Sequence, residues 1–460
     1  MGSRSSNSNT LNRRQVIKRG GLLAGAALAA SRGGALATGG AGQRPGRGHY
    51  ADSIEISIWT AFPELDKFLT EVGPKYTEEH PNVKIVNTLF PQRALEEKLA
   101  AALPAGEGPD LIELDRHEIF SYFANDQILP VDDETADYVR QYWPEFSVKN
   151  VTSKDGDIYS LPWIAQPKMM FYNTDMFAEA GITSTPETVD EMMAMAETLT
   201  KRDGSGNIVT QGIDLRLSGG GFGTAEKFWF QAMIPYGAHP MVQDGDKYKA
   251  GYDNDEGVAS LNMYIDALYV RKVSSFDAKH DAEGFGLGQG AMFQRESWVV
   301  DYLAANAPDI KYDVFPMPKG PGGWGNLGGT LGLSITSSSK HQKEANDFIR
   351  WVSTPERSAR TYEISCWQPW RTKDVDFGDL YERKPVLKKF VDDLESGGAT
   401  LYDYESIPPV AEIYSRMADR LMPAFKESSL AENPDGQKKV MHDMAEETNS
   451  VLKDWDLLAK

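Results

Sequence analysis

The chain has a single cysteine, Cys366, among its 460 residues. A lone thiol closes no disulfide within the chain and excludes a cysteine-based zinc cluster. The seven histidines are scattered and no H-E-x-x-H occurs, so no zinc hydrolase is readable. The nucleophile-elbow pattern G-x-S-x-G is missing too. Positive charge is scarce: 48 Lys and Arg face 67 Asp and Glu, a net charge of −19. Residues 1–50 hold eight basic residues and no acidic one, so the rest sets 40 against 67, or −27. So acidic a body argues against binding a nucleic-acid backbone and fits a soluble protein. No short-period repeat, coiled coil or low-complexity segment follows residue 50.

The basic segment has its own logic. Arg13-Arg14 and Lys18 precede a mild apolar stretch, 21–30, and Ala35-Leu36-Ala37 is a small-residue cleavage signal. This order reads as a secretory signal peptide of the twin-arginine type, with a linker to residue 50. The apolar stretch is too short and too rich in glycine for a good membrane span. With no cysteine near the cleavage signal, a lipid anchor is not expected there. Export without disulfides suits a bacterial periplasm or the cell exterior, where a large core makes covalent staples unnecessary.

About 410 residues remain, more than one ordinary core, so two domains are expected. The body opens with an alternating β-branched run at 54–59, a strand, followed by a helix with Leu65, Phe68, Leu69 and Val72 on one face. Strands at 83–86 and 111–114 alternate with helices at 95–103 and 119–124, which predicts a mostly parallel sheet. Segment 155–182 is the pivot. A turn at Asp155-Gly156-Asp157 leads into a short strand, 158–161, and Pro162 and Pro167 then hold the chain extended. A second strand, 169–172, and a short helix follow. Helices are expected over 186–201, 257–270, 298–306 and 341–352. Thr224 can cap a helix that carries Trp229. Strands are expected at 213–217, 312–314 and 331–335, and the carboxyl-terminal part from 385 reads as mostly helical. Proline-flanked extended chain returns at 315–318.

Two motifs are decoys. The glycine-rich run 319–325 contains a proline and opens no helix, so it is no dinucleotide loop. The acidic run from Asp203 echoes a calcium loop, but Ile208 stands where glycine is required.

Seven pieces occur in one order: ISIWTAF at 56–62, GPDLIEL at 108–114, DGDIYSLPW at 155–163, MMFYNTDMFAEAGI at 169–182, GQGAMFQRESW at 288–298, YDVFPMPKGPGG at 312–323 and GTLGLSITSSSKHQKEANDFIRWVSTPE at 329–356. Together they resemble the extracytoplasmic solute-binding proteins of carbohydrate ABC importers, the family of maltodextrin- and oligosaccharide-binding proteins. The resemblance covers nearly all of 52–455. It implies an α/β, two-lobe periplasmic binding protein fold, class II-like, with three interlobe crossings and a helical carboxyl-terminal part. The crossings fall near 164–168, 314–318 and 361–367. Lobe one is then 52–164 plus 318–362, and lobe two 168–314 plus 366–460. A small carbohydrate would sit in the cleft, the lobes would close on it by hinge bending, and the closed form would dock onto membrane permease subunits. The resemblance implies a monomer with no metal, no cofactor and no catalysis.

A sugar offers hydroxyls and weakly apolar C–H faces, so its site needs aromatic plates and short polar groups. Thr60 and Phe62 follow the first strand, Gln92 and Arg93 the second, and Asp115, Arg116 and His117 the third. Trp163 and Gln166 lie at the first crossing. Thr224, Trp229, Trp298, Gly328 and Gly329 come from later segments, and Trp367 and Arg371 follow the third crossing. Trp298 stands where the resemblance places a ring-stacking plate. Arg93 and Arg371 would suit an acidic sugar derivative, such as a phosphate, sulfonate or uronate. The glycine run 218–224 exposes backbone N–H groups ahead of a helix, a cradle for sugar oxygens. A secreted glycan-acting enzyme is the competing class, with Asp115 and Glu118 as its carboxyl pair.

Overall fold

The computed structural model describes residues 53–217, 221–279, 281–397 and 399–460. The expected signal segment and residues 218–220 of the glycine run lie outside the described residues. Two sheets organise the fold. The first orders its strands Val83–Leu89, Ile54–Thr60, Leu111–Asp115, Thr330–Ile335 and Leu161–Ala165. The first three pair in parallel, and Thr330–Ile335 is antiparallel to both of its neighbours. Four strands therefore share one direction, as strand–helix alternation predicts. The second sheet is wholly antiparallel, with Met169–Asn173 between Met292–Arg295 and Tyr312–Phe315. Those outer strands are reached by long excursions, whose length leaves strand direction free.

Each sheet carries its own core. On the first, helix Pro63–Glu79 buries Leu65, Phe68 and Leu69, and helix Gln342–Val352 buries Phe348 and Ile349. Each such side chain contributes about 1.5–3 kcal/mol of burial. The second and larger core gathers Phe228, Tyr264, Tyr414 and Leu421, among others. The chain leaves the first sheet at Ala165 and enters the second at Met169, then returns between Phe315 and Thr330. Residues 367–371 pack back on the first sheet: Ala165 N donates to Gln368 O at 2.8 Å and Trp370 N to Trp163 O at 3.1 Å.

Three local expectations need correction. No strand forms at 213–217. Arg216 has φ 52°, in the left-handed region, and its N–H donates to Asp214 Oδ1 at 2.6 Å, a side-chain turn that breaks extended chain. The strand expected at 158–161 starts only at Leu161, because Ile158 makes an isolated bridge with Thr152. Thr224 does not cap its helix, which begins at Phe222 with Gly221 as cap.

A buried charge ties segment 403–406 to the first sheet. Arg116, 1% exposed, pairs with Asp403 at 3.1 Å and donates to Ser406 Oγ at 2.7 Å and to the Tyr404 carbonyl. Asn150 Nδ2 completes the set, donating to Asp403 Oδ2 at 2.8 Å. Removing one partner strands the other charge without water. Asp403→Ala is therefore expected to cost roughly 3–5 kcal/mol in urea denaturation, and Arg116→Met combined with Asp403→Leu to recover much of it. A loss below about 1 kcal/mol for the single substitution would show that the pair is dispensable.

Candidate functional site

The carboxyl ends of the first sheet's strands open onto a cavity of about 430 Å³. Strand Ile54–Thr60 delivers Phe62 and Glu64, and helix Gln92–Ala105 delivers Gln92 and Glu96. Asp115 ends strand Leu111–Asp115, and His117 and Glu118 follow in helix Arg116–Phe123. Gln166 follows strand Leu161–Ala165, its backbone N–H donating to Gly329 O at 2.8 Å. The opposite side comes from other elements: Arg216, Phe222, Glu226, Arg295, Glu296 and Tyr404. Trp298 and Trp367 complete the wall.

Aromatic rings give the cavity flat apolar surface. Trp298 and Trp367 lie nearly parallel, 29° apart with centroids at 6.3 Å, and Phe62 meets Trp367 edge-on at 5.5 Å. Trp298 is locked by Nε1–H donating to Glu296 Oε2 at 3.0 Å, with the Arg295 guanidinium 5.2 Å from its ring centroid. His117 stacks flat on Phe222 at 4.3 Å.

Charge is divided between the walls. Lys168, 1% exposed, sits behind the cavity and pairs with Glu226 and Glu296, both at 2.9 Å. Burial opposes ionisation of both carboxyls, but Lys168 together with the Tyr404 hydroxyl at Glu226 and Arg295 at Glu296 outweighs it, and each is held below its ordinary value. Arg295 reaches Asp281 at 2.9 Å and Glu296 at 3.3 Å. The first wall differs. Burial, then the Glu226 charge, pushes the Asp115 carboxyl up to about 7 against the pull of Lys168. Glu118 is raised well above its usual range, by burial and then by Asp115, Glu96 and Glu113. Burial and the Arg116 charge push His117 down to about 3, so its imidazole is neutral.

Eight of the residues singled out in the sequence line the cavity: Phe62, Gln92, Asp115, His117, Glu118, Gln166, Trp298 and Trp367, joined by Gly223 of the glycine run. The others lie off its wall. The Thr60 hydroxyl is buried, donating to Glu113 at 2.6 Å. Arg93 points to solvent from its helix. Trp163 belongs to the first core, tilted against Phe68, and Trp229 to the second, packed on Phe230 and Tyr404. Thr224 is buried against Met422. Gly328 backs onto Phe146, and Gly329 serves through its carbonyl. Arg371 is buried and bound to Asp374, Tyr138 and the Ser353 carbonyl. Of the glycine run, Gly223 has a steric reason: a Cβ there would stand 2.9 Å from Arg216 Nη2.

Lys168, Arg216, Glu226, Arg295, Glu296 and Tyr404 were not selected from the sequence. Only Arg295 and Glu296 carried a local signal, lying within three residues of Trp298.

The raised Asp115 carboxyl has a measurable consequence. Its folded value of about 7 lies above the ordinary 3.8, so its contribution to stability is complete below about pH 4 and is lost as pH rises through 7. Asp115→Asn is expected to be more stable than the parent at pH 8, by of the order of 1–3 kcal/mol, with the gap closing near pH 4. Thermal melts at the two pH values check this; a gap that does not change with pH would mean Asp115 titrates normally.

Comparison with known proteins agrees with this architecture. Residues 60–358 match the family of bacterial extracellular solute-binding proteins. An arabinooligosaccharide-binding protein of Halalkalibacterium halodurans is 23% identical over 79% of this chain and 83% of its own length. A diacetylchitobiose-binding protein of Streptomyces coelicolor is 22% identical over 67% of this chain and 71% of its own. Among solved structures, the GacH receptor of Streptomyces glaucescens, described unliganded and with acarbose, superposes with a TM-score of 0.72 at 20% identity, covering 87% of this chain and 99% of that one. These structures share its two-domain fold. The match spans well over half of the residues, and the chain belongs to the bacterial extracellular solute-binding protein family.

Proposed function

We propose that the protein captures a sugar or oligosaccharide outside the cytoplasm and delivers it to the membrane permease of an ABC importer. One observation carries this reading: a cavity of about 430 Å³ in which the Trp298, Trp367 and Phe62 rings stand among hydrogen-bonding side chains. Aromatic faces match sugar C–H faces, and Gln92, Gln166 and the carboxyls match hydroxyls. The relatives named for sugar ligands support the same class.

The lobes would follow the expected bounds, 52–164 plus 318–362 and 168–314 plus 366–460, except that residues 366–371 join the first lobe. The third crossing is proposed to lie just beyond Arg371, because residues 367–371 bond to the first sheet. Closure would then bend the chain at 166–168, around 316–329 and after 371. The reading is of a monomeric binder without turnover, exported by the twin-arginine route.

An acidic ligand loses ground on this geometry. Arg93 and Arg371, the two arginines that suited it, do not line the cavity, and six carboxyl groups do.

Calorimetry with a panel of neutral mono- and oligosaccharides tests the reading, with product analysis of each mixture. Trp298→Ala is expected to weaken the best ligand by about 1–3 kcal/mol, some ten- to a hundredfold. No binding by any sugar, neutral or charged, or any cleaved product, would sink it. Export is tested by changing Arg13 and Arg14 both to Lys in the full chain, which is expected to retain the protein in the cytoplasm on fractionation; unchanged export would exclude the twin-arginine route.

A further inference from the structure

Four carboxyl groups on the cavity's first wall, those of Glu64, Glu96, Asp115 and Glu118, have no basic side chain at ion-pairing distance among the described residues. Across the cavity the opposite holds. Lys168 answers Glu226 and Glu296, and Arg295 answers Asp281. Cations nearest the first wall lie too far off to pair: Lys67 toward Glu64, Arg93 toward Glu96, and Lys168 toward Asp115. Burial is the largest influence on all four carboxyls and raises each of them.

Two polar groups on this wall are incompletely hydrogen-bonded. Glu118 Oε2 is buried with no hydrogen-bond partner among the described residues. His117, 5% exposed and lining the same cavity, leaves Nδ1 unpartnered as well. A metal ion does not fit, because among the described residues no three His, Cys, Asp or Glu groups are placed to hold one. A neutral polyol would supply hydrogen bonds but no charge to offset the burial of these carboxyls. An ammonium group supplies both, with three N–H donors and a positive charge that lets nearby carboxyls ionise. Rings beside the wall, Trp298 and Phe62, favour a cation further. The body's strong negative charge draws cationic ligands toward it.

We propose that the ligand is a saccharide carrying a free amino group, its ammonium placed against the first wall beside Glu118 and Asp115, with Glu64 and Glu96 adding negative charge around it, while its ring lies on Trp298. This rests on the saccharide reading of the cavity and narrows it to one class.

The test is titration calorimetry on the full mature chain at pH 7. The probes are glucose, its 2-, 3- and 6-amino-deoxy analogues, and the β-1,4 glucosamine disaccharide beside its N-acetylated form and cellobiose. One or more free amines are expected to bind at least tenfold tighter than the matched hydroxyl sugar. Binding should release protons, read as heats that differ between buffers of unlike ionisation enthalpy, because the raised carboxyls deprotonate as the ammonium arrives. Glu118→Gln and Glu96→Gln should each cut the amine preference fivefold or more. Glu96 is only half-buried, so its variant keeps the test alive if Glu118→Gln fails to fold. A neutral sugar binding as tightly as its amine, or a preference unchanged in the folded variants, overturns the proposal while leaving the saccharide reading intact. If no sugar of either kind binds, both fall.

Discussion

The ion-paired Lys168 is the constraint on which the site depends. It lies where the chain passes from the first sheet to the second, almost wholly buried, with both pairing distances at 2.9 Å. Asn326 Oδ1 accepts from its amide at 2.9 Å, and Asn326 Nδ2 returns a bond to its carbonyl at 3.1 Å, so backbone and side chain are both fixed. Burying an ammonium is costly unless its partners are well placed, so such a group specifies geometry more than it adds stability. Here the geometry propagates. Glu296, held by Lys168, accepts from the Trp298 indole, and Glu226 accepts from the Tyr404 hydroxyl at 2.6 Å. The charge at the crossing thus sets the orientation of one flat wall and one polar corner of the cavity.

A second consequence is the division of labour between walls. Carboxylates around Lys168 and Arg295 are ionised and spoken for, so they frame the site and change little. Those of the first wall sit at the ends of strands and starts of helices, where burial is not matched by a counter-charge. Their protonation can follow whatever enters. The same residues that cost stability at high pH are the ones able to gain most from a ligand, the usual exchange between stability and function at a binding site.

Much of the fold was readable from local pattern. Alternating β-branched runs marked the strands of the first sheet, and Pro162 and Pro167 marked the extended passage between sheets, because proline limits the backbone wherever it stands. The site was readable where a side chain follows directly from a strand end, as at Phe62, Asp115 and Gln166. It was not readable where tertiary folding alone brings groups together. Arg216 reaches the cavity through a left-handed turn, and Tyr404 through a segment tied down by Arg116, nearly 300 residues earlier. Strand direction in the second sheet was likewise not readable from pattern, because the long excursions between its strands leave direction free.

The tryptophans show the limit most clearly. Trp163, Trp229, Trp298 and Trp367 looked alike in the sequence, each a large aromatic near a crossing or a helix start. Core burial and ring stacking draw on the same apolar surface, so residue type cannot separate them. What separates Trp298 from Trp163 and Trp229 is the partner of its indole N–H and its place on the cavity wall; Trp367 lines the cavity while only 3% exposed and without an N–H partner among the described residues. Trp298 lines the cavity with its N–H held by Glu296 and the Arg295 guanidinium over its ring. Trp163 and Trp229 have every face packed and no partner for their N–H among the described residues, a cost of about 1–3 kcal/mol that core packing has to offset. At Trp298 the polar group that aims the plate lies two residues away, and the pair Glu296–Trp298 is that arrangement written locally in the chain.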